Sequence, residues 1–140
     1  MNAMLQETKN TAFLAEELGR LLSWHKGGDV IVMDMRSLNY WTDFFVIATI
    51  TSSAHLSGLE RHIKDYSAEK GLEHRRSRRN ETQPGISSDE WCLIDLGDIV
   101  IHLMNEKSRS FYELERLWGS APIQKFAAEG GVSGTGNFCP

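Results

Sequence analysis

The sequence predicts a single α/β domain in which one mixed β-sheet is flanked by helices. Three observations carry that reading. Residues 30–33 and Phe44–Ile50 are runs of β-branched and aromatic residues with the length of strands. Between such runs lie stretches with an apolar residue every three or four positions, the period of an amphipathic helix. The chain has 140 residues, 41% apolar and 24% charged, which fits one core without disulfide staples.

Residues 1–10 are polar and are expected to form a flexible N-terminus. From Thr11, Leu14, Leu18, Leu21 and Leu22 recur at helical spacing, with Glu16, Glu17 and Arg20 opposite them. Gly27-Gly28 is expected to close this helix. Residues 30–33 (Val-Ile-Val-Met) have no polar alternation, so they fit a strand covered on both faces. Residues 34–41 make a polar connection to Phe44–Ile50, expected to pair antiparallel with its predecessor. In Thr51-Ser52-Ser53 a hydroxyl can accept from the free N–H groups of a first helical turn. Leu56, Leu59, Ile63 and Tyr66 then form one stripe, and Gly71 stops the helix.

Residues 72–76 are expected as a short edge strand and residues 77–90 as an exposed loop. Residues 91–94 and 99–104 form a hairpin around Leu96-Gly97, flanked by Asp95 and Asp98. Ser110 and Glu113 have capping-box spacing. The last helix would then lie on the sheet through Phe111, Leu114, Leu117 and Trp118, ending at Gly119. The folded domain is expected over residues 11–120, and the glycine-rich residues 121–140 as a disordered tail.

A net charge of −4 argues against a general nucleic-acid binder. Arg75, Arg76, Arg78 and Arg79 are a local exception. They suit RNA phosphates, or an edge strand kept from aggregating by its charge, and the second reading is favoured. The N-terminus lacks the apolar core of a signal peptide and no run approaches a membrane span, so a cytoplasmic protein is expected. Cys92 sits in an apolar run and Cys139 near the end, neither with metal-ligand spacing, as in a reducing compartment.

Asp29, Asp34, Asp43, Asp95 and Asp98 stand at strand ends, where carboxylates can hold magnesium for nucleotidyl transfer. No Asp-x-Asp pair follows a Gly-Ser, so they are read as turn and strand-end residues. His55 and His62 are seven apart and His102 lies in an apolar strand, without the convergent spacing of a metal site. No phosphate-cradling glycine loop and no Gly-x-Ser-x-Gly elbow occurs. No catalytic residue, metal or cofactor is therefore assigned.

The richest stretch is residues 91–118. Trp91, Tyr112 and Trp118 are interleaved with Asp98, Glu106, Arg109, Glu113 and Glu115, the composition of a protein-contact site. The expected partner-binding set is Trp91, Asp98, Met104, Glu106, Arg109, Tyr112 and Glu115.

Two motifs resemble one family. Thr42-Asp43-Phe44-Phe45 through Thr49, with Thr51-Ser52-Ser53 and His55, looks like the Thr-Asp-aromatic strand and Ser-Ser-x-His helix entry of ribosomal silencing factors, the Iojap-like family. Trp91, Asp95-Leu96-Gly97-Asp98, Val100, His102, Arg109, Tyr112, Glu113, Leu114, Glu115 and Leu117 are similar to its most characteristic block. The resemblance covers residues 14–119. It departs at the long basic segment before Trp91, where Pro84-Gly85 stands in place of Glu-Gly, and after Ala121, where the tail has no counterpart. The resemblance implies a nucleotidyltransferase-like fold without a working site, and a non-enzymatic translational repressor. It implies binding to the large ribosomal subunit through ribosomal protein L-fourteen, occlusion of the small subunit, and a homodimer when free. The alternatives are a nucleotidyltransferase-like enzyme and an adaptor for another partner.

Overall fold

The computed structural model describes residues 2–38, 40–73, 76–79 and 91–126. The chain runs α1 (Asn2–Trp24), β1 (Gly28–Asp34), a 3-10 turn (Arg36–Leu38), β2 (Phe44–Ile50) and α2 (Ser53–Lys70). It continues through β3 (Arg76–Arg79), β4 (Trp91–Asp95), β5 (Ile99–Asn105), α3 (Glu106–Tyr112), α4 (Leu114–Leu117) and β6 (Ile123–Phe126). The strands form one mixed six-stranded sheet in the order β3-β4-β5-β2-β1-β6. Among the described residues only β2 and β5 pair in parallel, from Phe44↔Ile99 to Ile50↔Asn105, and the other pairings are antiparallel. The α/β class, the antiparallel β1–β2 pair and the β4–β5 hairpin agree with the sequence.

The alternation of side chains along each strand divides the interior in two. Val30, Val32, Phe44, Val46, Ala48, Cys92, Ile94, Ile101 and Leu103 face α1 and α2, meeting Leu18, Leu22, Leu56, Leu59 and Ile63. Ile31, Met33, Phe45, Ile47, Val100 and Met104 face the other way, onto Met35, Leu114 and Ala121. Covered faces on both sides explain why the strands carry continuous apolar runs. Among the described residues no helix is long and apolar enough to cross a membrane.

Local chemistry sets the ends of α2. Ser52 Oγ accepts from the His55 amide at 3.1 Å, and Gly71 closes the helix with φ +71°. At the end of α1 the left-handed residue is Lys26 (φ 72°), not a glycine. Gly27 is needed for space instead: a Cβ there would lie 2.8 Å from the Leu22 carbonyl oxygen, while its amide donates to that oxygen at 2.7 Å. The hairpin turn is as expected, with Gly97 at φ +95° and its amide bonded to Asp95 Oδ1 at 2.8 Å.

Helical backbone begins at Asn2, ahead of Thr11 where the apolar stripe starts. Three expectations are corrected. The edge strand is β3, Arg76–Arg79, later than residues 72–76; Leu72 packs on the core at the end of α2 instead. The last helix does not start at Ser110. Asn105, the final residue of β5, caps α3 by accepting from the Ser108 amide at 2.8 Å, and Glu113 is a left-handed joint (φ 45°) between α3 and α4. Finally, residues 123–126 are a strand and not tail: β6 pairs with β1, Val30↔Phe126 to Met33↔Ile123. Residues 127–140, with Cys139, and residues 80–90 lie outside the described residues.

Phe126 is what locks β6 down. It is 5% exposed and its ring presses on Gly19 of α1, where a Cβ would come within 2.7 Å of Phe126 Cε1. Phe126→Ala should therefore cost about 3 kcal/mol in chemical denaturation, as for a core aromatic. A change below about 0.5 kcal/mol, typical of surface positions, would place Phe126 outside the core.

Candidate functional site

Among the described residues, the face of the sheet opposite α1 and α2 has a thin cover. It consists of α3, α4 and the segment around Tyr40, with Leu38, Tyr40, Trp91, Leu93 and Trp118 only partly buried on the second core. Glu113 is the reason. Its left-handed backbone resets the helical phase between α3 and α4, so one stripe cannot run through both. Leu114 is buried, but Phe111 is 77% and Leu117 67% exposed. The sequence placed both against the sheet, and the broken helix turns them to solvent.

A chain of ring contacts crosses this face. Trp41 meets Tyr40, and Tyr40 meets Trp118 at 4.8 Å and Phe45 edge-on at 5.6 Å. Phe45 meets His102 at 4.7 Å, His102 meets Trp91 at 5.8 Å, Trp91 meets Tyr112 at 4.6 Å, and Tyr112 meets Phe111. The chain is buried in the middle at Phe45 and His102 and open at both ends, with Trp41 60% and Tyr112 45% exposed. Trp91, Phe111 and Tyr112 thus form an accessible aromatic group, and Glu106, which opens α3, is exposed. Trp41, Phe111 and Leu117 were not in the expected contact set. Trp41 looked like part of a polar connection, and nothing local signals that Tyr40 turns inward beside it.

The seven expected residues do not converge. Trp91, Glu106 and Tyr112 lie on or beside the α3 end of the sheet. Asp98 lies at the opposite end of β5, roughly 20 Å away at the rise of a strand. Met104, the register partner of Trp91, is 1% exposed and belongs to the second core. Arg109 is committed internally. Its guanidinium donates to Thr49 Oγ1 at 2.9 Å, to the Gly28 carbonyl at 3.3 Å and to Glu115 Oε2 at 3.4 Å, pinning α3 to the ends of β1 and β2. Glu115 is the acceptor in that clamp. Nor is the hairpin an edge, because β3 pairs with β4 from Arg76↔Asp95 to Arg79↔Cys92. The arginine-rich segment is thus the outer strand of the sheet.

The strand-end aspartates split as well. Asp34 is held by Arg36 in a two-pronged pair at 2.9 and 2.7 Å, and that hydrogen bonding lowers its pKa. Asp43 is pushed the other way, first by burial and then by the charges of Asp98 and Asp34. Among the described residues no three His, Cys, Asp or Glu side chains come together as a metal-holding group. The histidines of α2 serve its junction with α1. His55 Nδ1 accepts from the Thr51 amide at 3.1 Å while Nε2 meets the His25 carbonyl at 3.2 Å, and His62 stacks on His25 at 3.6 Å.

His102 is the unusual group. Its Nδ1 accepts from the Trp91 indole N–H at 3.1 Å, which puts the ring proton of the neutral form on Nε2. That Nε2 is buried and has no hydrogen-bond partner among the described residues. An unmatched buried donor costs about 1–3 kcal/mol. Burial lowers the His102 pKa to about 4 from 6.5. Between those values the unfolded chain binds the proton and the folded one does not, so acidification favours unfolding. The His102 contribution is complete above pH 6.5 and falls away by about 3 kcal/mol as the pH drops to about 4. Urea unfolding at pH 7 and pH 4.5 should show this loss in the wild type and a smaller one in His102→Leu; equal losses would assign the acid sensitivity to other groups.

Residues 7–134 match the family described as "Ribosomal silencing factor during starvation". The match therefore runs beyond residue 119 and takes in β6 and part of the glycine-rich tail. The chain is similar to the ribosomal silencing factor RsfS of Bacillus subtilis, with 34% identity over 95 residues, 68% of this chain and 75% of that protein. It is similar to the mouse protein named "Mitochondrial assembly of ribosomal large subunit protein 1", with 32% identity over 108 residues, 76% of this chain and 45% of that longer protein. A crystal structure of a Chromobacterium violaceum protein superposes with a TM-score of 0.59 at 29% identity, covering 92% of this chain and 95% of that one. With the sheet order, the two motifs and these matches in agreement, the chain belongs to the ribosomal silencing factor family.

Proposed function

We propose that this domain is a ribosome-associated translational silencing factor, a regulator and not an enzyme. It binds the large ribosomal subunit through ribosomal protein L-fourteen and sterically blocks joining of the small subunit. Membership in the family supports the ribosomal role, and the name of the mouse relative points to the large subunit. The observation that carries the binding mode is the aromatic face around Trp91, with Tyr112 and Phe111 exposed beside it and Glu106 at its rim.

Aromatic side chains of this kind supply most of the energy of protein contacts. The domain is acidic overall and ribosomal proteins are basic, which speeds encounter and orients it. The contact set is thus narrowed to Trp91, Glu106, Phe111 and Tyr112. Met104 supports it from beneath, Arg109 and Glu115 fix α3, and Asp98, itself exposed, lies at the far end of β5 outside the contact set. The free protein is a homodimer. Arg75, Arg76, Arg78 and Arg79 supply positive charge for a contact with ribosomal RNA phosphates.

Occlusion requires affinity and bulk, not chemistry, so no cofactor enters. Trp91→Ala should weaken co-sedimentation with purified large subunits by roughly tenfold or more, the loss expected at a hot spot. It should restore subunit joining, followed by light scattering, to the same degree. Asp98→Ala should leave both unchanged. Loss of binding in Asp98→Ala with normal binding in Trp91→Ala would move the interface to the other end of the sheet.

A further inference from the structure

His102 and Trp91 are diagonal neighbours on one face of the β4–β5 ladder, where Leu93 pairs with His102 and Trp91 with Met104. Ring packing against Tyr112 and His102 limits how far the indole can shift, but not which of its edges points inward. The hydrogen bond to His102 Nδ1 does that, because it is directional and acts on the one polar atom of the indole. With that atom engaged inside the domain, Trp91 offers a partner only carbon.

The imidazole is poorly suited to a purely packing role. It sits 5% exposed against Phe45, in a face otherwise built from Ile31, Met33, Ile47 and Val100, and keeps an unmatched Nε2–H there. A leucine would fill the same space without a buried polar atom. Burial also keeps the ring neutral at physiological pH, so Nδ1 is always available as an acceptor.

We propose that His102 is a positioning residue for partner binding: it touches no partner, and it fixes the orientation in which Trp91 is presented. This rests on the reading of Trp91 as a contact residue. It adds that the domain gives up some stability at His102 to hold that contact in one pose before binding.

The test uses the full chain, purified large ribosomal subunits and thermal melts. His102→Leu should bind roughly tenfold more weakly, the weight of about one hydrogen bond, with a Tm equal to or above that of the wild type. His102→Asn, whose Oδ1 can take the place of Nδ1, should recover most of the binding. In a Trp91→Ala background His102→Leu should change binding no further, since its effect passes through the indole. Trp91→Phe, which keeps a ring and removes the donor, should match His102→Leu, and it carries the test if His102→Leu does not fold. Normal binding by His102→Leu beside weak binding by Trp91→Ala overturns the positioning role and leaves the interface standing. Additive effects in the double variant, or a His102→Asn as defective as His102→Leu, overturn it too. Normal binding by Trp91→Ala overturns the interface and the positioning role together.

Discussion

The parallel pairing of β2 with β5 in the middle of the sheet is the constraint on which the other features depend. Parallel neighbours need a long crossover between them, and here it holds α2, β3 and β4. Both strands are apolar on both faces, so two separate layers must cover them. The pairing is anchored where β2 begins. The amides of Asp43 and Phe44 both point at the Asp98 carbonyl at 3.0 Å, and buried Thr42 donates to the Gly97 carbonyl at 3.3 Å. The Thr-Asp motif and the hairpin turn thus meet as one structural joint, which accounts for both motifs without invoking a reaction at their carboxylates.

The two layers are unequal. Helices α1 and α2 seal the first face with long apolar stripes, while the second is covered by short pieces that leave rings uncovered at their margins. A thin layer costs the free domain some hydrophobic burial, and it leaves a rigid apolar surface on a sheet rather than on a mobile loop. Arg109 belongs to the same economy. By tying α3 to the ends of β1 and β2 it fixes Tyr112 and Phe111 over the sheet without reaching outward.

Much of the fold was legible because its signals are local. The apolar runs of β1 and β2, the Ser52 cap, the Gly71 stop and the Leu96-Gly97 turn each depend on a few adjacent residues. What could not be read depends on residues far apart. β6 has only Gln124 and Phe126 facing inward, too short an alternation to see, and its partner is β1 near the start of the chain. The start of α3 was misplaced because Asn105 ends a strand and caps a helix at once, while Ser110 and Glu113 imitate a cap inside it. The candidate site was half legible. Trp91, Tyr112 and Glu106 stand out by type, but the burial of Met104, the distance of Asp98 and the exposure of Phe111 and Trp41 follow from register and from one left-handed residue.

The pairing of β6 with β1 bears on how the chain folds as it is made. Among the described strands β1 leaves the ribosome first and β6 last. Until residue 126 emerges, β1 has an apolar edge with unpaired amides and carbonyls, the kind of template that recruits other chains. The strand that closes it is four residues long and follows a proline, too short to offer a good edge of its own. The sheet therefore becomes safe from self-association only once Phe126 has emerged, and a nascent chain cut short before Phe126 would present that open edge to every other copy around it.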